Sequence, residues 1–533
     1  MSSLAPAASR SYAAAIDALN GLQSNAQVID AIRRLGGKGG DVQLREQVEY
    51  MRRIGYEADD LTRMNVLHVT GTKGKGSTSA FVSSILTTLV PEAKVGLYTS
   101  PHMVAVRERI RINGEPIAEN VFARYFWEVW DRLEQADKAA TDAATPEKPA
   151  YFRYLTIMAM HVFLSEKVDA TILEVGVGGT YDSTNIVPQP ITTGVTALGI
   201  DHIWVLGKTL PEIAAQKGGI YKPGVPALAI QQPEGLDVLE SRARELGASS
   251  FTVVPEHPQL KEIKLGLAGS FQRSNASLAV ALVQSFLASP RCPAAFRSLV
   301  PPTSPSPPSC DSALPCLPSS LIAPIPLPSA LLTGLATARW PGRCQREPDP
   351  LLGGEKVRWF LDGAHTVESL RCCGEWFRED ALGVASSPEP TRFLIFNCTS
   401  GRSGSELLSS LLSAFSPTLS GEKLEQPFDH VVFCTNTTFA SGDSKGDLTS
   451  NAVDTSDLAA LSTQHELASA FSALVPPTSS LRPAQIHVLA SIQEAVELVR
   501  SIATEGEGRK VEALVTGSLH LVGGVMAVAE LPL

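Results

Sequence analysis

A glycine-rich stretch at 71–76 lies between a strand-like segment and a helix-like segment, and this order constrains the fold more than any other feature. Val66, Leu67 and Val69 form a short apolar run of strand length, and 80–86 have the composition of a helix. Glycine lets backbone N–H groups turn toward an anion, and the start of the following helix adds unpaired N–H groups. The sequence therefore predicts an α/β protein with a phosphate-binding loop after its first strand.

Lys75 and Ser77 supply the side chains that such a loop needs. The ammonium group can reach terminal phosphates, and the hydroxyl group can meet a phosphate or its magnesium ion. The spacing departs from the strict Gly-x4-Gly-Lys-Ser/Thr pattern, because Gly76 separates Lys75 from Ser77. An ordinary tight strand–helix turn is the alternative. We favour nucleotide binding, since both flanking elements lie where the motif requires them.

Composition excludes several classes of protein. A chain of 533 residues can form two or three domains, and its net charge of −10 argues against a general nucleic-acid binder. We expect no transmembrane segment, because no apolar run has the length of a membrane span. The eight cysteines contain no CxxC pair, which indicates reduced thiols in an intracellular protein. We expect a cytoplasmic location, and the Ala- and Ser-rich start leaves a mitochondrial pool as an alternative.

Three further predicted strands lead into polar residues. The strand at 94–99 precedes Ser100, the strand at 168–173 delivers Glu174, and the strand at 191–198 precedes His202. Ligands of parallel α/β sheets gather at the carboxyl ends of strands, so these side chains are site candidates. A carboxylate at a strand end beside a phosphate loop is typical of Mg²⁺ binding, although a structural glutamate and a hydrogen-bonded core histidine are the alternatives.

Two other segments affect the domain organisation. The stretch 107–112 alternates charged and apolar residues, which predicts an exposed face or a strand edge.

The stretch 288–330 is too rich in proline for a packed helix or a central strand. We therefore predict an ATP- and Mg²⁺-binding domain at 1–287, a linker or insertion at 288–334 and a C-terminal α/β domain at 335–533. A proline-rich ligand for another protein is an alternative reading of the middle stretch.

The motifs taken together resemble the folylpolyglutamate synthase family of the Mur ligase superfamily. The resemblance runs from about Ala14 to Leu287 and from Trp340 to the end of the chain. The segments that carry it are 69–77, 100–102, 107–114, 174–185, 201–202, 217–220, 340–343, 361–365 and 516–520. It implies a P-loop Mur-ligase-like domain with a mostly parallel sheet, followed by a smaller Rossmann-like α/β domain.

The resemblance also implies roles for individual residues. Residues implied to bind ATP are Gly74, Lys75, Gly76, Ser77, Gln272, Asn275, Arg343 and Asp362. Residues implied to ligate Mg²⁺ are Ser100, Glu174 and His202, and those implied in catalysis are Lys75, Lys217 and His202. Lys217 matches a lysine that is carbamylated in relatives. ATP and Mg²⁺ are the implied cofactors, with K⁺ as a further candidate.

The implied reaction is the addition of L-glutamate to the γ-carboxylate of a folate polyglutamate through an acyl phosphate, by a protein we expect to be a monomer. Dihydrofolate synthase, which performs the same chemistry on dihydropteroate, remains an alternative. A nucleotide-binding switch or kinase is a second alternative, opposed by His202 and Lys217 in the family spacing. Thr180 departs from the family pattern, because many relatives carry arginine there, and the proline-rich stretch is unusual in length.

Overall fold

The computed structural model describes residues 10–23, 40–136, 144–299, 314–318, 322, 326–383, 388–398, 403–415, 427–441, 447, 461–475, 483–506 and 509–533. The chain divides into two compact units. The first unit contains residues 1–102, 107–266 and 271–339, and the second contains 103–106, 267–270 and 340–533. The chain therefore enters the second unit twice, for four residues each time, before it remains there from Trp340 onward.

The first unit is built on an eight-stranded sheet with the order β4-β3-β2-β5-β1-β6-β7-β8. Its strands are β1 (Val66–Thr70), β2 (Val95–Tyr98), β3 (Ile110–Ile112), β4 (Glu115–Pro116), β5 (Ala170–Glu174), β6 (Thr192–Val195), β7 (Pro226–Ile230) and β8 (Ser250–Val254). Strands β3 and β4 pair antiparallel, and the other six strands are parallel. Strands β1 and β5 are buried at every position, and most of their residues are apolar.

Helices connect the parallel strands of this unit. They are α1 (Tyr12–Asn20), α2 (Gly40–Arg53), α3 (Lys75–Leu89), α4 (Glu119–Gln135), α5 (Tyr151–Glu166), α6 (Ile203–Leu206), α7 (Leu210–Gly218), α8 (Leu236–Glu245), α9 (Gln272–Ala288) and α10 (Ser329–Thr337). The chain passes from β1 to β2 on one side, returns to β5 and then crosses β1 to reach β6. Ligands of open α/β sheets bind where the strand order reverses in this way, at the carboxyl ends of the strands.

The second unit has a six-stranded sheet with the order β13-β12-β11-β14-β10-β9, parallel except for the pair β9 and β10. Its strands are β9 (Gln345–Pro348), β10 (Val357–Leu361), β11 (Thr391–Phe396), β12 (His430–Cys434), β13 (Gln485–Leu489) and β14 (Val511–Thr516). Its helices are α11 (Val367–Phe377), α12 (Gly404–Ser413), α13 (Ser462–Leu474), α14 (Ile492–Glu505) and α15 (Leu519–Ala529). Two apolar cores cover the two faces of this sheet.

The predicted α/β class with two mostly parallel sheets is confirmed. The predicted exposure at 107–112 is wrong, because Glu108, Arg109 and Arg111 are all buried although β3 lies next to the edge of its sheet. The contacts of Arg111 are local: its Nε donates to the carbonyl of Glu108, and its Nη1 donates to the carbonyl of Gly114. The alternation of charge at 107–112 therefore marks a segment whose charged side chains are mostly buried.

The described part of the predicted linker at 288–334 packs on the first unit. Leu317 N–H donates to Thr252 of β8, and α10 lies against α3, where the Ser84 hydroxyl donates to the carbonyl of Gly334. Residues 300–313, 319–321 and 323–325 of that stretch lie outside the described residues. Cys316 is disulfide-bonded, whereas the other described cysteines are free thiols. Among the described helices, none combines the length and apolar character needed to span a bilayer.

Candidate active site

The loop between β1 and α3 has the geometry of an anion site. Gly74 adopts a left-handed conformation, with a φ of 87°, directly before the first residue of α3. A Cβ at Gly74 would lie 2.2 Å from Asn275 Oδ1, so only glycine fits between the loop and α9. The unpaired N–H groups at the N-terminus of α3 therefore lie directly after the loop, where an anion could bind them.

Two lysine side chains converge on one carbonyl oxygen of this loop. Lys75 Nζ donates to Gly71 O at 3.0 Å, and Lys217 Nζ donates to the same oxygen at 2.7 Å. Burial lowers the pKa of Lys217 to about 7, and the charge of Lys75 acts in the same direction. Two ammonium groups this close repel each other, so an anion bound between them would relieve the repulsion.

Side chains from α9 reach the start of α3. Gln272 Nε2 donates to Ser77 Oγ at 3.2 Å, and Asn275 Nδ2 donates to Gln272 Oε1 at 2.8 Å. The hydroxyl groups of Thr78 and Ser79, in the first turns of α3, are buried and have no hydrogen-bond partner within the described ranges. Buried polar groups are normally satisfied, so these two hydroxyls mark a place where a polar ligand is expected.

Glu174 lies at the carboxyl end of β5 with 3% of its surface exposed. Its Oε2 accepts a hydrogen bond from the Thr99 hydroxyl and lies 3.4 Å from the backbone nitrogen of Ser100. The structure therefore brings together two of the three residues implied to bind magnesium, because β2 and β5 are neighbouring parallel strands. Both provide the oxygen ligands that a hard cation prefers.

The third implied ligand, His202, is the residue before α6 and has a left-handed φ of 49°. About half of its side chain is exposed, and its Nε2 lies 3.6 Å from Asp201 Oδ2. Burial of the ring lowers the pKa of His202, and the charges of Lys75 and Lys217 lower it further. The charge of Asp201 acts in the opposite direction and raises this pKa. His202 is therefore a weaker base than a free imidazole, and it lies within electrostatic reach of both lysines.

In the described part of the chain, no group of three or more His, Cys, Asp or Glu side chains is placed to hold a metal ion. A magnesium ion at Ser100 and Glu174 would thus need other oxygen ligands. Mg²⁺ commonly retains waters and binds substrate phosphates beside one or two carboxylates, so the donor set fits this ion. The adjacent phosphate loop is where those phosphate oxygens would come from.

Arg109 is a site candidate that the sequence interpretation did not select. Its side chain is 2% exposed, its Nε donates to His102 Nδ1 at 2.9 Å, and its guanidinium lies 5.2 Å from the ring centroid of Phe152. Its Nη1 is buried without a partner among the described residues. His102 follows Ser100 by two residues, so Arg109 lies beside the Glu174 site. The only sequence signal was the charge alternation, which does not distinguish buried from exposed arginines.

Thr180, the departure from the family pattern, joins this site to the helix that carries Lys217. Its N–H and its hydroxyl both donate to the carbonyl of Gln216, at 2.8 and 2.9 Å. The turn that follows Glu174 is therefore attached to the last turn of α7. A short hydrogen-bonding side chain is what this close approach permits, because Thr180 lies against Gly219.

Arg343 and Asp362 lie together in the second unit. Asp362 Oδ2 accepts from the N–H and the thiol of Cys344, and Oδ1 accepts from the N–H of Ala364. Burial raises the pKa of Asp362, and the charge of Arg343 opposes this shift. Arg343 Nη1 donates to the carbonyl of Gly342. Asp362 therefore organises the loop after β10, which is a role beyond the nucleotide contact that the resemblance implied.

Comparisons with known proteins identify the family of this chain. Residues 351–528 match the family model described as dihydrofolate synthetase, C-terminal domain. The folylpolyglutamate synthase of Saccharomyces cerevisiae is 41% identical over 527 residues, which covers 98% of this chain and 87% of the relative.

Solved structures with a similar fold include a Mycobacterium tuberculosis folylpolyglutamate synthase complexed with ADP. It has a TM-score of 0.65 at 20% identity, and the match covers 97% of this chain and 99% of that one. The E. coli FolC complex with DHPP and ADP has a TM-score of 0.59 at 21% identity, with 99% of both chains covered. Because a relative of 41% identity matches almost its full length, the chain belongs to the folylpolyglutamate synthase family of ligases.

Proposed function

We propose that this chain uses ATP to add L-glutamate to the terminal γ-carboxylate of a folyl-(poly)glutamate, with ADP and phosphate as the other products. One observation carries the proposal beyond the family name. Lys75 and Lys217 meet at Gly71 O, while Glu174 and Ser100 meet at the neighbouring strand ends. Cationic groups for phosphates and oxygen ligands for a cation therefore lie at the same edge of one sheet.

The residues of the loop would bind the nucleotide through its phosphates. Backbone N–H groups at the start of α3 and the ammonium group of Lys75 offset the charge of the β- and γ-phosphates. Gln272 and Asn275 hold Ser77 and the loop in place from α9. The M. tuberculosis and E. coli proteins of similar fold form complexes with ADP, which supports nucleotide binding by this chain.

The chemistry requires activation of a carboxylate, because a carboxylate is a poor acyl donor. Transfer of the γ-phosphoryl group gives an acyl phosphate, and the amine of L-glutamate then displaces phosphate to form the amide. Both reactants of the first step are anions, so Lys75 and Lys217 lower the repulsion between them. Lys217, with a pKa of about 7, can also change its protonation state during turnover at neutral pH.

Ser100, Glu174 and His202 would hold Mg²⁺, whose chemistry at this position is the neutralisation of charge on the phosphates. If Lys217 is carbamylated, as the resemblance implies, it would be an anionic oxygen ligand of this ion instead of a cation that faces the phosphates. A pKa of about 7 leaves part of this amine neutral, and the neutral amine is the form that reacts with carbon dioxide.

The buried guanidinium of Arg109 would bind the carboxylate of a substrate. Its Nη1 has an unsatisfied N–H donor within the described residues, next to His102 and near Ser100. A charge-assisted bond to a carboxylate is the strong partner that such a donor lacks. An anionic glutamate tail, as in the substrates of this family, matches this requirement.

Mass spectrometry of the product tests the proposal. The full chain is incubated with tetrahydrofolyl-glutamate, ATP and isotope-labelled L-glutamate, and a product heavier by one labelled glutamyl residue is expected. Lys75→Ala should lower the rate at least about 100-fold, as the loss of a phosphate-stabilising group does. The matched control is Lys261→Ala, an exposed lysine outside the loop, which should retain activity. ATP hydrolysis without glutamate addition would contradict the proposal and favour a nucleotide-binding switch or kinase.

Dihydrofolate synthase activity is the second candidate, favoured by the description of the family model that matches residues 351–528. Replacing tetrahydrofolyl-glutamate by dihydropteroate in the same assay separates the two reactions. A monomeric state, a cytoplasmic location and a mitochondrial pool remain predictions, and residues 1–9 lie outside the described part of the chain.

A further inference from the structure

The turn that follows Glu174 is held by one carboxylate. Asp182 Oδ2 accepts hydrogen bonds from the N–H groups of Gly176 and Val177, each at 3.1 Å. This turn lies against Ser100, because a Cβ at Gly176 would be 3.7 Å from Ser100 Oγ. The position of Asp182 therefore sets the backbone that surrounds the Ser100 and Glu174 pair.

The other oxygen of Asp182 is fixed by Thr184. Asp182 Oδ1 accepts from the Thr184 N–H at 3.0 Å and from the Thr184 hydroxyl at 2.6 Å. Thr184 is 1% exposed, so water does not compete for this hydroxyl. The carboxylate is thus held at both oxygens by three backbone N–H groups and one hydroxyl group.

The direction of that hydroxyl depends on His68. A threonine hydroxyl has one proton, and Thr184 gives it to Asp182, so the contact of 2.9 Å to His68 Nε2 requires the histidine to donate. His68 is fully buried in the middle of β1, and its Nδ1 has no partner among the described residues. His68 is consequently the neutral tautomer with its proton on Nε2. Burial and the charge of Lys222 agree with this, because they lower the pKa of His68 to about 3.

Strand β1 thereby controls both sides of the candidate site. It continues directly into the phosphate loop, and Thr70, at its end, donates its hydroxyl proton to the carbonyl of Gly178 at 2.6 Å. The path from His68 through Thr184 and Asp182 to the N–H groups of the turn is a second attachment. A fully buried position in a central strand is usually apolar, so a polar residue such as His68 needs a hydrogen-bond partner there.

We propose that His68 and Thr184 are positioning residues of the ligase site. They orient Asp182, which holds the Gly176–Val177 turn so that Ser100 and Glu174 face the phosphate loop in a fixed arrangement. The inference deepens the proposed function and rests on it for the meaning of the site, while the hydrogen-bond path itself stands on the geometry alone.

A pair of substitutions at one position tests the path in the full chain. Thr184→Val keeps the shape of the side chain and removes the hydroxyl, whereas Thr184→Ser keeps the hydroxyl. Hydrogen–deuterium exchange of a peptide covering 174–181 should be about tenfold faster or more in Thr184→Val, because the buried N–H of His68 then lacks its acceptor and Asp182 loses one of its hydrogen bonds. The kcat for glutamate addition should fall by a similar factor, and ADP affinity measured without Mg²⁺ should stay within about twofold. Thr184→Ser should restore both quantities to near the unmodified values.

His68 provides an independent second pair. His68→Leu removes the donor but leaves the bond between Thr184 and Asp182 in place, and His68→Gln retains an N–H donor. The same faster exchange at 174–181 is expected for His68→Leu, with partial recovery in His68→Gln. This pair carries the test if Thr184→Val does not fold.

Unchanged exchange and unchanged kcat in Thr184→Val and His68→Leu would overturn the proposal. Equal losses in the valine and serine variants of Thr184 would also overturn it, since the hydroxyl would then be irrelevant. If the unmodified chain adds no glutamate but exchange still changes as expected, the hydrogen-bond path stands and the proposed function fails. The two failures are therefore distinguishable.

Discussion

Gly74→Ala tests the claim that the phosphate loop and α9 form one binding unit. Gly74 has a φ of 87°, and its Cβ would lie 2.2 Å from Asn275 Oδ1, whereas ordinary contacts of a Cβ begin near 3.4 Å. The alanine methyl group therefore forces Asn275 to move by about 1 Å or more. That movement breaks the hydrogen bond of 2.8 Å from Asn275 to Gln272, which in turn holds Ser77.

Two separate costs follow from this substitution. A left-handed conformation costs an alanine about 1–2 kcal/mol. Loss of the Asn275–Gln272 bond costs about 1 kcal/mol more, so unfolding free energy should fall by about 2–3 kcal/mol. Nucleotide affinity should fall by about tenfold, because each 1.4 kcal/mol of lost binding free energy is a factor of ten.

Gly224→Ala is the matched control. Gly224 has a φ of 73°, in the same left-handed region, and a Cβ there would meet no atom within 4 Å. Gly224→Ala therefore has the same cost of a left-handed alanine and the same loss of freedom in the unfolded chain. It lacks the steric clash that the methyl group causes in Gly74→Ala. Urea unfolding and ADP titration by calorimetry measure both variants. If Gly74→Ala binds ADP as tightly as Gly224→Ala, the reasoning that α9 supports the loop is refuted.

Three further predictions concern other parts of the chain. Lys217→Met should stabilise the protein by about 3–5 kcal/mol below pH 7. This gain should disappear as the pH approaches 10.5, because the lysine of the unfolded chain also becomes neutral there. Equal gains at pH 6.5 and 9.5 in urea unfolding would contradict this. Asp349→Ala should destabilise by about 3–5 kcal/mol in thermal or urea unfolding, because it leaves Arg500, whose Nε lies 3.0 Å from Asp349, without its buried partner. Gly523→Ala should cost about 1–3 kcal/mol, because its Cβ would lie 2.1 Å from Met103 O, and an unchanged melting temperature would show that this contact relaxes freely.

Lys217 requires a check of sign, since its pKa is lowered by folding. Between about pH 7 and 10.5 the unfolded chain binds a proton that the folded chain does not, so stability rises with pH across this window. Below about pH 7 both states are protonated and the cost of the buried charge is complete. Methionine does not titrate, so the stability of Lys217→Met lacks this dependence on pH. Its gain in stability over the unmodified chain is therefore largest at low pH. Its Gly71 carbonyl keeps the bond from Lys75.

The phosphate loop and the strand-end residues could be predicted from the sequence for a local reason. Glycine spacing, an apolar run before it and a helical pattern after it are properties of adjacent residues, and parallel strands align their carboxyl ends whatever the order of strands. Lys75 and Glu174 were accordingly found at the same sheet edge.

Arg109 and His68 could not be predicted in the same way. Arg109 lies in an alternating segment that is typical of an exposed strand, and its burial depends on Phe152 and His102, which other segments supply. His68 reads as one polar residue in an apolar strand. Its role depends on Thr184, which is 116 residues away in the chain.

The sequence by itself determined the α/β class, the family, the anion loop and the residue types available at each strand end, because these depend on local pattern and composition. Only the tertiary structure decided which side chains share a site and where the units divide. Met103–Val106 and Leu267–Ser270 belong to the second unit although their neighbours in sequence belong to the first. The physical reason is that burial and hydrogen bonding are satisfied between segments far apart in the chain, and no local pattern records which partner will be nearby.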